Sequence, residues 1–145
     1  MNRPFAIVGV GASAGGVEAL EGFFRGMPDH PGLAVVVVTH LSPDRESRLP
    51  EVVARYTRLE VRIAADGMRV EPDCVYVLPA DATLSIADGV LGILRPEGGR
   101  RERKPIDIFF SALAIDQGEQ SAGVVLSGGD SDGTLGIKAI KEPAG

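Results

Sequence analysis

Apolar positions along the chain follow two rhythms. Short unbroken apolar runs occupy residues 5–10, 33–39, 75–78 and 122–126. The second contains Val35-Val36-Val37-Val38. Runs apolar on both faces suit central strands of a parallel sheet, and each is ended by glycine, proline or polar residues. The other rhythm is helical. Val17, Leu20, Phe24 and Met27 recur at helical spacing and predict a helix over 16–26, with Gly26 and Pro28 as stop signals. A short helix is expected over 49–56. Ile106, Phe109, Phe110 and Leu113 mark another that starts near Pro105, and a last helix is expected over 134–142, ended by Pro143. A short strand over 60–64 runs into an Asp66-Gly67 turn. Residues 83–87 and 90–94 flank Asp88-Gly89, a strong hairpin signal because this pair accepts the positive φ angles of a two-residue turn. The pattern therefore predicts an α/β fold: a doubly wound, mainly parallel sheet flanked by helices, with a β-hairpin insertion. Its strand–helix–strand crossovers should be right-handed.

Composition narrows this picture. At 145 residues and 44 % apolar, one domain with a buried core is expected. A net charge of −5 argues against a nucleic-acid partner, which normally meets a basic face. There is no apolar run long enough to span a bilayer and no signal-peptide pattern at the start, so no membrane insertion is expected. The one cysteine, Cys74, lies beside an apolar strand and reads as a buried core thiol, consistent with a reducing, cytoplasmic location. Two histidines and one cysteine offer no recognisable metal-ligand set, and no cofactor is expected. Residues 95–104, rich in arginine and glutamate, read as a solvated connection or as a loop that attracts acidic partners.

The candidate chemistry lies in three turns, each at the carboxyl end of a predicted strand. They hold Ser13, His40 and Asp132. In a parallel sheet such ends share one edge, where ligand sites form. A serine hydroxyl is a weak nucleophile until an imidazole takes its proton, and a carboxylate orients that imidazole and stabilises its charged form. Gly11-Ala12-Ser13-Ala14-Gly15 matches the G-x-S-x-G elbow in a strand–turn–helix context. Plainer readings exist for each residue: Ser13 as turn chemistry, His40 as a loop hydrogen-bonder, Asp132 as a helix N-cap. On proximity alone Asp130 competes with Asp132. A rival class is a dinucleotide site, since Gly9-x-Gly11-x-x-Ala14 fits the loose form of that fingerprint. That site wants an acid at the end of the second strand, where Thr39-His40 stands instead.

The motifs together resemble one family. Gly9 through Leu20, Val36-Val37-Val38-Thr39-His40-Leu41-Ser42-Pro43, Ala64-Ala65-Asp66-Gly67, Val75-Tyr76-Val77-Leu78-Pro79, Lys104 through Ala112 and Gly123 through Thr134 resemble, in order, segments of the catalytic domain of chemotaxis protein-glutamate methylesterases, the CheB family. The resemblance implies a serine hydrolase that removes methyl groups from glutamate methyl esters on the cytoplasmic helices of chemoreceptors and deamidates certain receptor glutamines. By position it makes Ser13 the nucleophile, His40 the base and acid, and Asp132 the orienting carboxylate. Asp130 falls where the family commonly has glycine. The backbone amides of Ala14 and Gly129 are the oxyanion-hole candidates it implies. Gly129 replaces a methionine and Ala14 a threonine common in the family. No receiver domain precedes Ser13, which suggests the type whose methylesterase domain opens a longer chain, often fused to a methyltransferase. The family's closing strand and Gly-Met-Pro turn do not follow, so residues 1–145 are expected to be a methylesterase catalytic domain truncated at its C-terminus. The alternative expectation is a catalytically incomplete module that binds receptors or signalling partners without turnover.

Overall fold

The computed structural model describes residues 5–13, 17–40, 43–80, 82–94 and 105–126. Seven strands are seen among them: β1 (Ile7–Ser13), β2 (Ala34–His40), β3 (Glu60–Ile63), β4 (Cys74–Val77), β5 (Thr83–Ala87), β6 (Val90–Leu94) and β7 (Ser121–Leu126). Three α-helices accompany them: α1 (Val17–Arg25), α2 (Pro43–Tyr56) and α3 (Pro105–Gln117). Five strands form one sheet in the order β3-β4-β2-β1-β7, every pair parallel. The expected doubly wound α/β architecture is therefore present.

The strands' alternation divides the core in two. Val35, Val37, Val75, Val77 and Val10 pack with Leu20 and Phe24 of α1 and Leu49 and Val53 of α2. Val36, Val38, Ile7 and Tyr76 pack with Ile106, Phe109, Phe110 and Leu113 of α3 and with Leu84, Ile86 and Leu91 of the hairpin. The four consecutive valines thus feed both layers, as the period of two requires. The β5–β6 hairpin forms as the sequence predicts. Asp88 and Gly89 have φ of 53° and 73°, so both turn residues sit in the left-handed region. Asp116 of α3 holds this turn by accepting hydrogen bonds from the backbone N–H groups of Asp88 and Gly89.

The two largest differences from the expected boundaries have physical causes. β1 extends to Ser13 rather than ending at Val10, because β1 has a ladder partner on both sides: Ala12 pairs with Thr39 of β2 and with Leu126 of β7. α2 begins at Pro43, six residues before the expected start at residue 49. Proline suits the first turn of a helix, so Pro50 mimics a start signal, yet here it lies inside α2. Burial of Leu49 and Val53 on one stripe offsets the lost helical bond. The expected loop over 95–104 and helix over 134–142 lie outside the described residues.

Candidate active site

The glycine-dense stretch decides how this site is built. Gly9 and Gly11 lie inside β1 and face α3. A Cβ at Gly9 would stand 2.8 Å from Phe110 Cε1, and one at Gly11 would stand 2.5 Å from Ile106 Cγ2. Both glycines are thus required by the close approach of α3 to the sheet. The G-x-G pattern that suggested a phosphate cradle has a packing cause. The same contact brings the first turn of α3 beside the carboxyl end of β1.

Ser13 is the last residue of β1 and His40 the last of β2, and their Cα atoms are register partners. Neighbouring strands run about 4.8 Å apart, so the two sequence-predicted residues are adjacent on the sheet's carboxyl edge. His40 closes the strand itself rather than following it, one residue beyond expectation. β7 flanks β1 on its other side and ends at Leu126. Ala14, Gly129, Asp130 and Asp132 lie outside the described residues.

Two buried acids near this edge were not legible as site residues. Glu46, in the first turn of α2, is 1 % exposed and accepts a 3.0 Å hydrogen bond from the hydroxyl of Thr39, itself fully buried. Asp107, in the first turn of α3, is 7 % exposed and directly follows Ile106, the residue against Gly11. A signal for Glu46 did exist. It stands three residues before Leu49 and seven before Val53, the spacing of one helical face, but an expected start at residue 49 hid it.

Groups with displaced proton affinities lie elsewhere. Burial pushes the Cys74 thiol up, although Arg62 opposes it, and Cys74 opens β4 at the sheet's other edge. It is a buried free thiol, as expected. Burial likewise raises Tyr76, whose hydroxyl donates to the Arg69 carbonyl and accepts from the Glu71 N–H. Burial would raise Asp116, but bonds from Gln117, Gly89 and Asp88 outweigh it and hold its carboxyl below the usual range. A cleft of about 360 Å³, lined in part by Phe24, Arg25, Arg55 and Tyr56, opens at the C-terminal ends of α1 and α2, away from Ser13 and His40. No described helix is long and apolar enough to cross a membrane.

A parallel α/β sheet whose central strands end on a neighbouring serine and histidine defines a class with a candidate hydrolase site on its carboxyl edge. The chain belongs to the CheB methylesterase family, whose model matches residues 8–145. It is 35 % identical over 136 residues to a protein-glutamate methylesterase/protein-glutamine glutaminase of Burkholderia orbicola, covering 93 % of this chain and 40 % of that protein. A Pseudomonas aeruginosa protein of the same description is 34 % identical over 144 residues, covering 96 % of this chain and 41 % of that one. The chain thus spans about two fifths of these curated relatives. The crystal structure of the Thermotoga maritima CheB methylesterase catalytic domain superposes with a TM-score of 0.83 at 27 % identity, over 97 % of this chain and 77 % of that one.

Proposed function

We propose that this chain carries the chemistry of a protein-glutamate methylesterase, with Ser13 as nucleophile, His40 as base and acid, and Asp132 as orienting carboxylate. The observation that supports it is the register pairing of Ser13 with His40 at the ends of adjacent strands. In this reading the Ser13 hydroxyl oxygen attacks the ester carbonyl carbon of a methylated glutamate while His40 takes the hydroxyl proton. The oxyanion that forms is held by backbone amides, with Ala14 and Gly129 as the donors. Collapse expels the methoxy group, which leaves as methanol with the proton from His40. A water, activated by the same imidazole, then attacks the acyl-serine, and the products are the glutamate carboxylate and free Ser13. Glutamine deamidation follows the same path with ammonia as leaving group.

The substrates in this reading are methylated cytoplasmic helices of chemoreceptors, the location is the cytoplasm, and a methyltransferase, fused or separate, is the counterpart activity. Residues 1–145 act as one catalytic domain within this scheme. A second reading is a module that binds receptors or signalling partners without turnover.

The two readings part on one experiment. Under the first, a fluorophosphonate probe labels Ser13, seen as a mass shift on its peptide, and the chain releases methanol from a methylated receptor fragment. Ser13→Ala is expected to abolish labelling and to lower methanol release by about 10⁴-fold or more with the fold unchanged. An unlabelled wild-type chain that still binds the receptor fragment would favour the second.

A further inference from the structure

We propose that Glu46 is a positioning residue for His40, acting through Thr39. The inference rests on the reading of Ser13 and His40 as nucleophile and base. Three observations carry it.

First, the Thr39–Glu46 pair has no packing purpose. Thr39 continues the face of β2 that Val35 and Val37 give to the α1–α2 layer, and Glu46 continues the stripe of Leu49 and Val53. A valine at 39 and a leucine at 46 would fill that layer without the cost of taking a hydroxyl and a carboxyl out of water. The polar pair is there instead, fully enclosed and hydrogen-bonded at 3.0 Å. A bond of this kind fixes direction as well as distance, which apolar contact does not.

Second, among the described strands the end of β2 has a ladder partner on one side only. β4 pairs with β2 from Val35 to Val37 and no further, and the Leu78 N–H bonded to the Val37 carbonyl at 3.0 Å closes that flank. Among the described strands, positions 38 to 40 have β1 alone as ladder partner. The Thr39 hydroxyl supplies a second hold at the point the ladder lacks one.

Third, the bond closes the connection that carries the histidine. It joins residues seven apart, with His40 following Thr39 directly and α2 beginning at Pro43. The strand end is therefore clamped to the first turn of α2, and His40 leaves the clamp one residue on. Reactions of this type tolerate little misplacement, since a shift of about 1 Å between reacting groups can cost about 100-fold in rate.

The test is the rate at which a fluorophosphonate labels Ser13 in the full 145-residue chain, followed by mass spectrometry, with folding checked by circular dichroism at the assay temperature. Glu46→Ala and Thr39→Val are each expected to slow labelling by about 10-fold, the loss expected for one buried hydrogen bond. The double variant should be slowed by clearly less than the product of the two single losses, because both remove the same bond. Glu46→Gln keeps an acceptor oxygen and Thr39→Ser keeps the donor, and both should restore the rate to within about threefold. A purely structural role would lower the melting temperature without this pattern of rescue in folded protein. The inference is overturned if folded Thr39→Val labels at the wild-type rate, or if Glu46→Gln and Thr39→Ser are as slow as the truncations. Thr39→Val keeps the side-chain volume, so it decides the matter if Glu46→Ala does not fold. Labelling that persists in Ser13→Ala, or is absent from the wild type, would instead overturn the underlying Ser13–His40 reading.

Discussion

The two faces of the sheet are built on different principles. On one face, α1 and α2 are amphipathic: Leu20 and Phe24, or Leu49 and Val53, are buried, while Glu21, Arg25, Arg48 and Glu51 face water. On the other, α3 is apolar nearly all round. Its inner side carries Ile106, Phe109, Phe110 and Leu113, and even its outer side presents Ile108 and Ile115. It is pinned between the sheet and the β5–β6 hairpin. The first face tolerates ordinary spacing between helix and strand. The second is so close that β1 must be glycine at 9 and 11. The difference teaches that one glycine-rich stretch has two duties, admitting α3 and ending on Ser13, and that only the first explains the glycines.

Substitutions can press on this contrast. The largest effect is expected from Phe110→Ala. Its ring is fully buried against Gly9, a position with no side chain to fill the gap, so a loss of about 3–5 kcal/mol is expected in chemical denaturation. Gly11→Ala should cost about 1–3 kcal/mol, since the new methyl would meet Ile106 at 2.5 Å and α3 would have to shift. Ile106→Ala, which removes the clashing Cγ2, should offset part of the loss caused by Gly11→Ala, and a double-mutant cycle measures the coupling.

Asp116→Asn tests how the hairpin is fastened to α3. One of two backbone N–H bonds loses its acceptor, and a loss of about 1 kcal/mol at neutral pH is expected. The sign of the pH dependence follows from the depressed carboxyl. Its contribution is present above the unfolded carboxylate range and is lost as pH falls through the folded value. Melting temperatures between about pH 6 and pH 2 should therefore fall less steeply for Asp116→Asn than for the wild type. The smallest effect has the opposite sign. Gly22 lies exposed inside α1 with nothing near its would-be Cβ, so Gly22→Ala should stabilise by about 0.5–1 kcal/mol. The same change, glycine to alanine, thus destabilises on one face and stabilises on the other. Equal effects at 11 and 22 would remove the contrast.

Much of this architecture can be read from local pattern. The valine run of β2, the stripe of α1, the start of α3 at Pro105 and the Asp88-Gly89 turn all depend on interactions between near neighbours in the chain, so each is written where it occurs. The pairing of a serine and a histidine at strand ends was legible as well, because a parallel sheet sends all its carboxyl ends to one edge. The start of α2 was not legible, because Pro50 is a start signal locally and an interior residue in the fold. Nor was the Thr39–Glu46 bond, because the expected helix began after Glu46 and only the fold brings the two side chains together in a buried place.

Sequence by itself determined the α/β class, the hairpin and the candidate residues, because periodicity, turn chemistry and motif are properties of contiguous residues. Tertiary structure decided the rest. It set the order β3-β4-β2-β1-β7, which gives β1 a partner on both sides and puts Ser13 beside His40. It also assigned Gly9 and Gly11 to the approach of a helix some 95 residues later in the chain. The physical reason is that a glycine's meaning depends on what would occupy its missing side chain. That neighbour is fixed by the packing of distant segments and leaves no mark on adjacent positions.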